Sequence, residues 1–396
     1  MHIYLDNAAT TKMSETALTA MLPYFTEQYG NPSSLYSFGQ HAHEALTDAR
    51  ERIARQLHCE AREITFTSGG SEADNQAIVS AARIGERKGK RHIVSTAFEH
   101  HAVLHTLSKL EKEGFEVTLL PVHENGIVQP EEVEAAIRPE TCLVTVMYAN
   151  NEIGTIQPIE EIGRICRAKG VLFHTDAVQA VGHLPIDVEK QNIDLLSLSA
   201  HKFHGPKGIG ALYARKGIPL TTLVEGGAQE RGKRGGTENV PAIVGMAAAL
   251  EEACQSMEEE RAKMTQLRDR LIQGLSQISH SVLNGDADRR LPGNVSFCFE
   301  GIEGESLLLL LDDKGISASS GSACTSGALD PSHVLLAIGR PHEIAHGSLR
   351  LTLSRETTQK EIDETIEAVK QVVDYLRQMS PVWRDLENGK LSFVIQ

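Results

Sequence analysis

Short apolar or β-branched runs recur through the first half of the chain, each bounded by turn residues. Seven of them read as strands: Glu63–Thr67, His92–Thr96, Val117–Leu120, Leu143–Tyr148, Val171–Thr175, Leu195–Ser199 and Gly210–Ala214. Between several of them apolar positions fall at helical spacing, as with Leu46, Ala49, Ile53 and Leu57, and again with Ile159, Ile162 and Cys166. Strand and helix alternating in this way predict a largely parallel sheet covered by helices. Beyond about residue 235 the texture changes. A helical pattern rich in Ala, Glu and Met covers Val240 to Ile278. It is followed by Val295–Phe299, a Leu-rich helix around Ser306–Leu311, a strand at Ser348–Leu353 and a last helix from Thr358 to Leu376. These elements predict a smaller α+β domain. The expected division is a large domain over residues 15–255 and a small one made from residues 1–14 and 256–396.

Composition narrows the picture without naming a function. The 396 residues allow about two to three domains. A hydrophobic share of 41% and a charged share of 23% are ordinary globular usage. Lys plus Arg is 39 and Asp plus Glu is 53, a net charge of −14, which argues against direct binding to nucleic acid or an anionic membrane. The longest purely aliphatic run, Leu307 to Leu311, is too short to span a bilayer. MHIYLDNAATTK has neither a basic stretch nor an apolar one of the secretory kind, so a cytoplasmic, reducing location is expected. The six cysteines include no C-x-x-C pair, which removes zinc ribbons and thioredoxin-like motifs.

Five polar motifs each follow a predicted strand directly. They are Ser68-Gly69-Gly70-Ser71-Glu72, Glu99-His100-His101, Asn150-Asn151-Glu152, Asp176 with Gln179, and Ala200-His201-Lys202. The carboxyl ends of parallel strands share one edge, and ligands bind there. Gly69 and Gly70 permit close backbone approach, and Ser71 can cap a helix starting near Asp74, which reads as an anion site. Alone, the same residues also describe a routine cap with a glycine turn. The segment is not a Walker A loop.

Lys202 follows an apolar strand, where a lysine amine has a lowered pKa and can attack carbonyl carbon. Lys207, in a Pro/Gly turn, is the competing lysine. Asp176 at a buried strand end needs a cationic partner, and a protonated pyridine nitrogen is one. His100 suits an imidazole lying on a cofactor ring, since no H-E-x-x-H or cysteine accompanies it as a metal set would require. Cys324 stands apart from the other five cysteines. It lies in Ser319-Ser320-Gly321-Ser322-Ala323-Cys324-Thr325-Ser326-Gly327, whose small polar residues predict an exposed, mobile loop over about 319–330 and a nucleophilic thiol. Arg350, alternating with Leu349 and Leu351, is expected on the polar side of its strand, either as a carboxylate clamp or as a surface arginine.

These motifs, in order, resemble the cysteine desulfurases of the NifS/IscS type, fold-type I pyridoxal-phosphate enzymes. The likeness runs through YLDNAATT, GNPSS, TSGGSEADN, EHHAV, NNEIG, HTDAVQAVG, SAHKFHGPKGIGALY, ERGKRGGTENV, SSGSACTSG and HGSLRLTLSRETT. The resemblance implies a large α/β domain with a mostly parallel seven-stranded sheet. It implies pyridoxal 5'-phosphate joined to Lys202, with Asp176 at the ring nitrogen, Gln179 at the ring hydroxyl and His100 over the ring. Gly70, Ser71, Ser199 and His201 would hold the phosphate, Asn151 would contact cofactor and substrate, and Thr237 would reach the neighbouring subunit of a homodimer. Asn151 and Arg350 would orient the carboxylate of L-cysteine. Cys324 would take the sulfur as a persulfide, with alanine as the other product. The expected acceptor is an iron–sulfur scaffold protein of the IscU/NifU type, with another sulfur acceptor, such as a relay protein for tRNA thiolation, as the alternative. No metal is expected in the resting enzyme, with Cys324 a transient iron–sulfur ligand. Two departures are Ser71, where the family often has Thr, and Ala228, where it often has Gly. Another fold-type I enzyme, such as an aminotransferase or selenocysteine lyase, would keep Lys202 and Asp176 but need no thiol at Cys324. A non-catalytic scaffold would lose one of them.

Overall fold

The computed structural model describes residues 2–320 and 331–395. Twelve strands occur among them: β1 (Ile3–Tyr4), β2 (Ile64–Thr67), β3 (His92–Thr96), β4 (Glu116–Leu120), β5 (Thr141–Thr145), β6 (Leu172–Asp176), β7 (Leu195–Ser199), β8 (Gly210–Ala214), β9 (Ser281–Leu283), β10 (Asn294–Phe299), β11 (Ile316–Ser317) and β12 (Ser348–Thr352). Seven form one sheet in the order β2-β8-β7-β6-β5-β3-β4. Strands β3 to β7 pair in parallel, while β8 runs antiparallel to both of its neighbours. Because β2 is antiparallel to β8, it points the same way as the parallel set. The carboxyl ends of β2, β3, β5, β6 and β7 therefore meet at one edge of the sheet.

Every residue of β2, β3, β5, β7 and β8 is buried, as expected for a sheet covered on both faces. Successive side chains leave opposite faces of a strand. Ile93, Leu143 and Leu195 pack beneath the helices Gly70–Glu86 and His101–Lys112, through residues such as Ile78 and Leu107. Their neighbours Val94, Val144 and Leu196 face the other core, with Ile53, Ile162 and Ile243 from the helices Ser37–Leu57, Ile159–Lys169 and Val240–Gln255. The long apolar pattern beginning at Val240 is two helices rather than one. Ser256, at φ −97° and ψ 3°, breaks it into Val240–Gln255 and Met257–Leu275.

A second core surrounds the antiparallel sheet β12-β10-β9. Phe297, Leu349 and Leu351 on the strands meet Leu271 and Val369 on the helices Met257–Leu275 and Gln359–Met379. The chain start joins this part. β1 pairs in parallel with β11, and the Thr352 amide donates to the Leu5 carbonyl at 2.7 Å. Asp6 to Thr11 then run from this sheet across to the large one, where the Thr11 amide donates to the His201 carbonyl at 3.0 Å. No helix among the described residues is long and apolar enough to cross a membrane.

Candidate active site

A cleft of ≈ 320 Å³ opens at the shared carboxyl edge of the large sheet. Its walls include Gly70 and Ser71 after β2, His100 after β3, Asn151 after β5, Asp176 and Gln179 at the end of β6, and Ser199, His201 and Lys202 from β7. Arg350 on β12 and the chain start at Ala8 and Ala9 close it from the other side. Residues as far apart in the chain as Ala8 and Arg350 thus converge because one sheet edge collects the loops and the N-terminal segment carries the second sheet to it.

The helix Gly70–Glu86 begins at Gly70, four residues earlier than the cap pattern predicts. Its N-cap is Gly69, which has no side chain to offer, so Ser71 belongs to the first turn instead of capping it. Several first-turn N–H groups thus lack a helical partner, at the positive end of the helix dipole. Ser199 stands beside them. A Cβ added to Gly70 would lie 2.6 Å from Val178 Cγ2 and 3.7 Å from Ser199 Cβ, so only glycine fits between helix start and strand ends. The His201 ring is fixed by a 3.1 Å hydrogen bond between Nδ1 and Thr10 Oγ1. Burial, with Lys202 and Lys207 nearby, lowers its pKa to about 4, so the ring is neutral at pH 7.

Asp176 lines the cleft and is 5% exposed. Its Oδ1 accepts the Val178 amide at 3.0 Å. Burial pushes its carboxyl up, opposed by His100, that amide and Lys202. Such a carboxylate stands to gain from a cationic donor. His100 is the N-cap of the helix His101–Lys112, its Nδ1 accepting the Ala102 amide at 3.1 Å, which leaves Nε2 to carry the ring proton. Lys202 donates from Nζ to the carbonyls of Ala8 at 2.5 Å and Ala9 at 2.8 Å. Gln179 Nε2 donates to the same Ala8 carbonyl at 3.0 Å. Lys207, by contrast, is exposed and does not line the cleft.

Of the two readings of Arg350, carboxylate clamp or surface arginine, the structure excludes the surface one. Arg350 is 4% exposed, because its strand face turns towards the cleft instead of bulk water. Nη2 pairs with Asp6 Oδ1 at 2.9 Å and Nη1 donates to the Asn151 carbonyl at 3.1 Å. Nε is buried without a hydrogen-bond partner among the described residues. A buried guanidinium with an unused N–H suits a carboxylate.

Thr237 is exposed and is not among the residues lining the cleft within this chain. Cys324 lies outside the described residues. Of the other thiols, Cys142, Cys166 and Cys298 are buried, and Cys59 and Cys254 are partly so. Burial pushes Cys59 up to about 12, Cys142, Cys254 and Cys298 up to about 11, and Cys166 upward as well. None of these five is a thiolate near neutrality.

Pattern reasoning passed over three further acids here. Asp74 lines the cleft, and Glu99 and Glu152 are buried beside it. Glu99 accepts from Thr96 Oγ1 at 2.6 Å and the Met147 amide at 3.0 Å, and burial raises its pKa to about 8. Glu152 accepts a short hydrogen bond from Ser332 Oγ, and burial raises its pKa to about 7. Glu99 and Glu152 do stand inside the polar motifs. Their burial was not visible because carboxylates at loop starts are normally solvated.

The donor set fits pyridoxal phosphate: an amine, an anion-binding helix start with a glycine cradle, and a buried carboxylate awaiting a cation. Comparison with known proteins agrees. The family model for class-V aminotransferases matches residues 3–365. A protein named cysteine desulfurase IscS from Clostridium botulinum (strain Hall) is 56% identical over 391 residues, 98% of each chain. A solved structure titled NifS-like protein superposes with a TM-score of 0.89 at 40% identity, covering 95% of this chain and 100% of that one. Another, titled SspA in complex with cysteine, gives 0.80 at 36% identity, covering 90% and 100%. Fold and site thus define a class-V, fold-type I pyridoxal-phosphate enzyme. Within that class, the chain belongs to the cysteine desulfurases.

Proposed function

We propose that this enzyme takes sulfur from L-cysteine, releases L-alanine, and passes the sulfur through a Cys324 persulfide to an acceptor protein. The observation that carries this reading is the convergence of Lys202, Asp176, His100 and Arg350 on one cleft beside an uncapped helix start. Pyridoxal phosphate, when bound, supplies an electron sink for the carbons of the amino acid.

Each residue has a task that its surroundings support. The N–H groups at Gly70 and Ser71, with Ser199 and His201, hold the phosphate. A neutral His201 does so as a hydrogen-bond partner, not as a charge. Asp176 holds the ring nitrogen in its protonated form, and Gln179 holds the ring hydroxyl. His100, its ring oriented by the Ala102 amide, would pack against the cofactor ring. Arg350 takes the substrate carboxylate, with Asn151 beside it. Lys202 would hold the cofactor covalently, and its freed amine would move the proton at the substrate Cα. The Cys324 thiolate attacks the substrate sulfur. The S–S bond forms as the C–S bond breaks, and that electron pair goes to the carbon skeleton, which takes up a proton and leaves as alanine.

In this reading residues 15–255 hold the cofactor, while 1–14 and 256–396 bring Arg350 and Cys324 to it. The pairing of β1 with β11 supports that division. Thr237, exposed on its own chain, is assigned to the phosphate of a second copy in a homodimer. The acceptor is an iron–sulfur scaffold of the IscU/NifU type, in a reducing cytoplasm that suits persulfide chemistry. The test is turnover of L-cysteine with alanine and sulfide both measured. Lys202→Ala is expected to abolish both products and the cofactor's visible band. Cys324→Ala is expected to abolish the persulfide step, and wild-type turnover in that variant would refute the proposal.

A further inference from the structure

Asp74 is the group in the cleft that the proposed chemistry leaves without a task. It lies in the first turns of the helix Gly70–Glu86, facing β6 and β7, and is 1% exposed. A carboxylate oxygen of Asp74, one of Asp176 and a ring nitrogen of His100 all lie within 4.8 Å of one another. Two buried carboxyl groups at that separation cannot both ionise cheaply.

The neighbours of Asp74 offer little positive charge to compensate it. His174 Nε2 is 3.7 Å from Asp74 Oδ1, beyond hydrogen-bond reach. The His174 ring is occupied on both sides, by Thr145 Oγ1 at 2.8 Å and Ser197 Oγ at 3.0 Å. Burial drops its pKa to about 3, so it is neutral. Asp176 and Glu99 face Asp74 with the same sign of charge, and both act to raise its pKa, which burial already raises most. Ser197 donates to it and opposes the rise. Lys202 and His100 favour the charged form of Asp176. Asp74 Oδ1 meanwhile has no hydrogen-bond partner among the described residues. An ionised carboxylate there would bear the full cost of a buried, incompletely paired charge, which the neutral acid avoids.

We propose that Asp74 and Asp176 hold one proton between them, carried on Asp74, so that the pair presents a single negative charge to the ring nitrogen. This deepens the cofactor reading and rests on it for the role of Asp176. Asp74 is then a positioning residue. It lies beside Asp176 as a neutral group and avoids a second anion in the cleft. An amide at position 74 imitates that state, and an ionised acid does not.

The test is the infrared spectrum of the cofactor-free protein near neutral pH, wild type minus Asp74→Asn. The expected difference is one protonated-carboxyl band in the wild type. A pair of ionised-carboxylate bands in its place overturns the proposal. Asp74→Ser supplies the same subtraction if the amide is not tolerated. The Asp74 band is then titrated in wild type and in Asp176→Asn. Removing the charge at 176 is expected to move its midpoint down by about one pH unit or more. An unmoved midpoint also overturns the proposal, because it shows no shared proton. Neither measurement involves bound cofactor, so failure here is distinct from failure of the cofactor assignment, which the visible band reports.

Discussion

Replacing Arg350 tests the substrate end of the cleft. Its guanidinium is 4% exposed and already held by Asp6 at 2.9 Å and the Asn151 carbonyl at 3.1 Å, so it is positioned before substrate arrives. Little ordering entropy is left to lose on binding. A hydrogen bond to a charged group is worth about 1.5–3 kcal/mol. A two-pronged grip on the substrate carboxylate would therefore contribute roughly 3–5 kcal/mol, or about 200- to 5,000-fold in kcat/KM. Arg350→Gln removes the charge and the fork. Arg350→Lys keeps the charge alone and should lose about 10- to 100-fold. The assay is alanine formation against L-cysteine concentration, alongside the visible absorbance of bound cofactor. Most of the loss should fall on KM, with cofactor loading retained. Wild-type kcat/KM in Arg350→Lys, or loss of cofactor in place of substrate affinity, would refute the assignment.

Other expectations follow from the same geometry. Gly70→Ala places a methyl group 2.6 Å from Val178 Cγ2 and should weaken cofactor binding by about tenfold or more, with partial recovery in the double variant with Val178→Ala; equilibrium dialysis reads both. Glu99, pushed by burial from 4.5 to about 8, binds more protons folded than unfolded, so its stabilising share is full below about pH 4.5 and is lost as pH rises through 8. Thermal melts of Glu99→Gln should therefore fall less steeply over that range than those of the wild type. Arg50 grips the buried Glu230 with Nη1 at 2.8 Å and Nη2 at 2.6 Å, so Arg50→Ala should cost about 3–5 kcal/mol in urea unfolding by stranding that charge.

Much of the cofactor cleft was legible in the pattern of the chain because strand ends in a parallel sheet are a geometric address. His92–Thr96, Leu195–Ser199 and Gly210–Ala214 carry their apolar runs from turn to turn, and the structure places them there without adjustment. The strand reading of Leu143–Tyr148 ran too long, because β5 leaves the sheet after Thr145 while its burial continues through Asn150. Strands β1, β9 and β11 are two or three residues long, too short for any period to show, and β1 and β11 form only by pairing with each other across the chain. The same distance left Arg350 open between carboxylate clamp and surface arginine: alternation with two leucines gives only its strand face, and the return of Asp6 to β12, which buries it, is not visible locally. Asp74 was hidden because a helix-start acid is ordinarily a surface residue.

The central claim is that sulfur moves from L-cysteine to Cys324 by way of the cleft around Lys202. The most direct measurement is the mass of the Cys324 peptide after a single turnover with L-cysteine, taken under non-reducing conditions with alanine counted in the same sample. The account requires one added sulfur atom on Cys324 for each alanine formed, and neither in Lys202→Ala. Alanine formed with no sulfur on Cys324, or with the sulfur on Cys59 or Cys254, would contradict it.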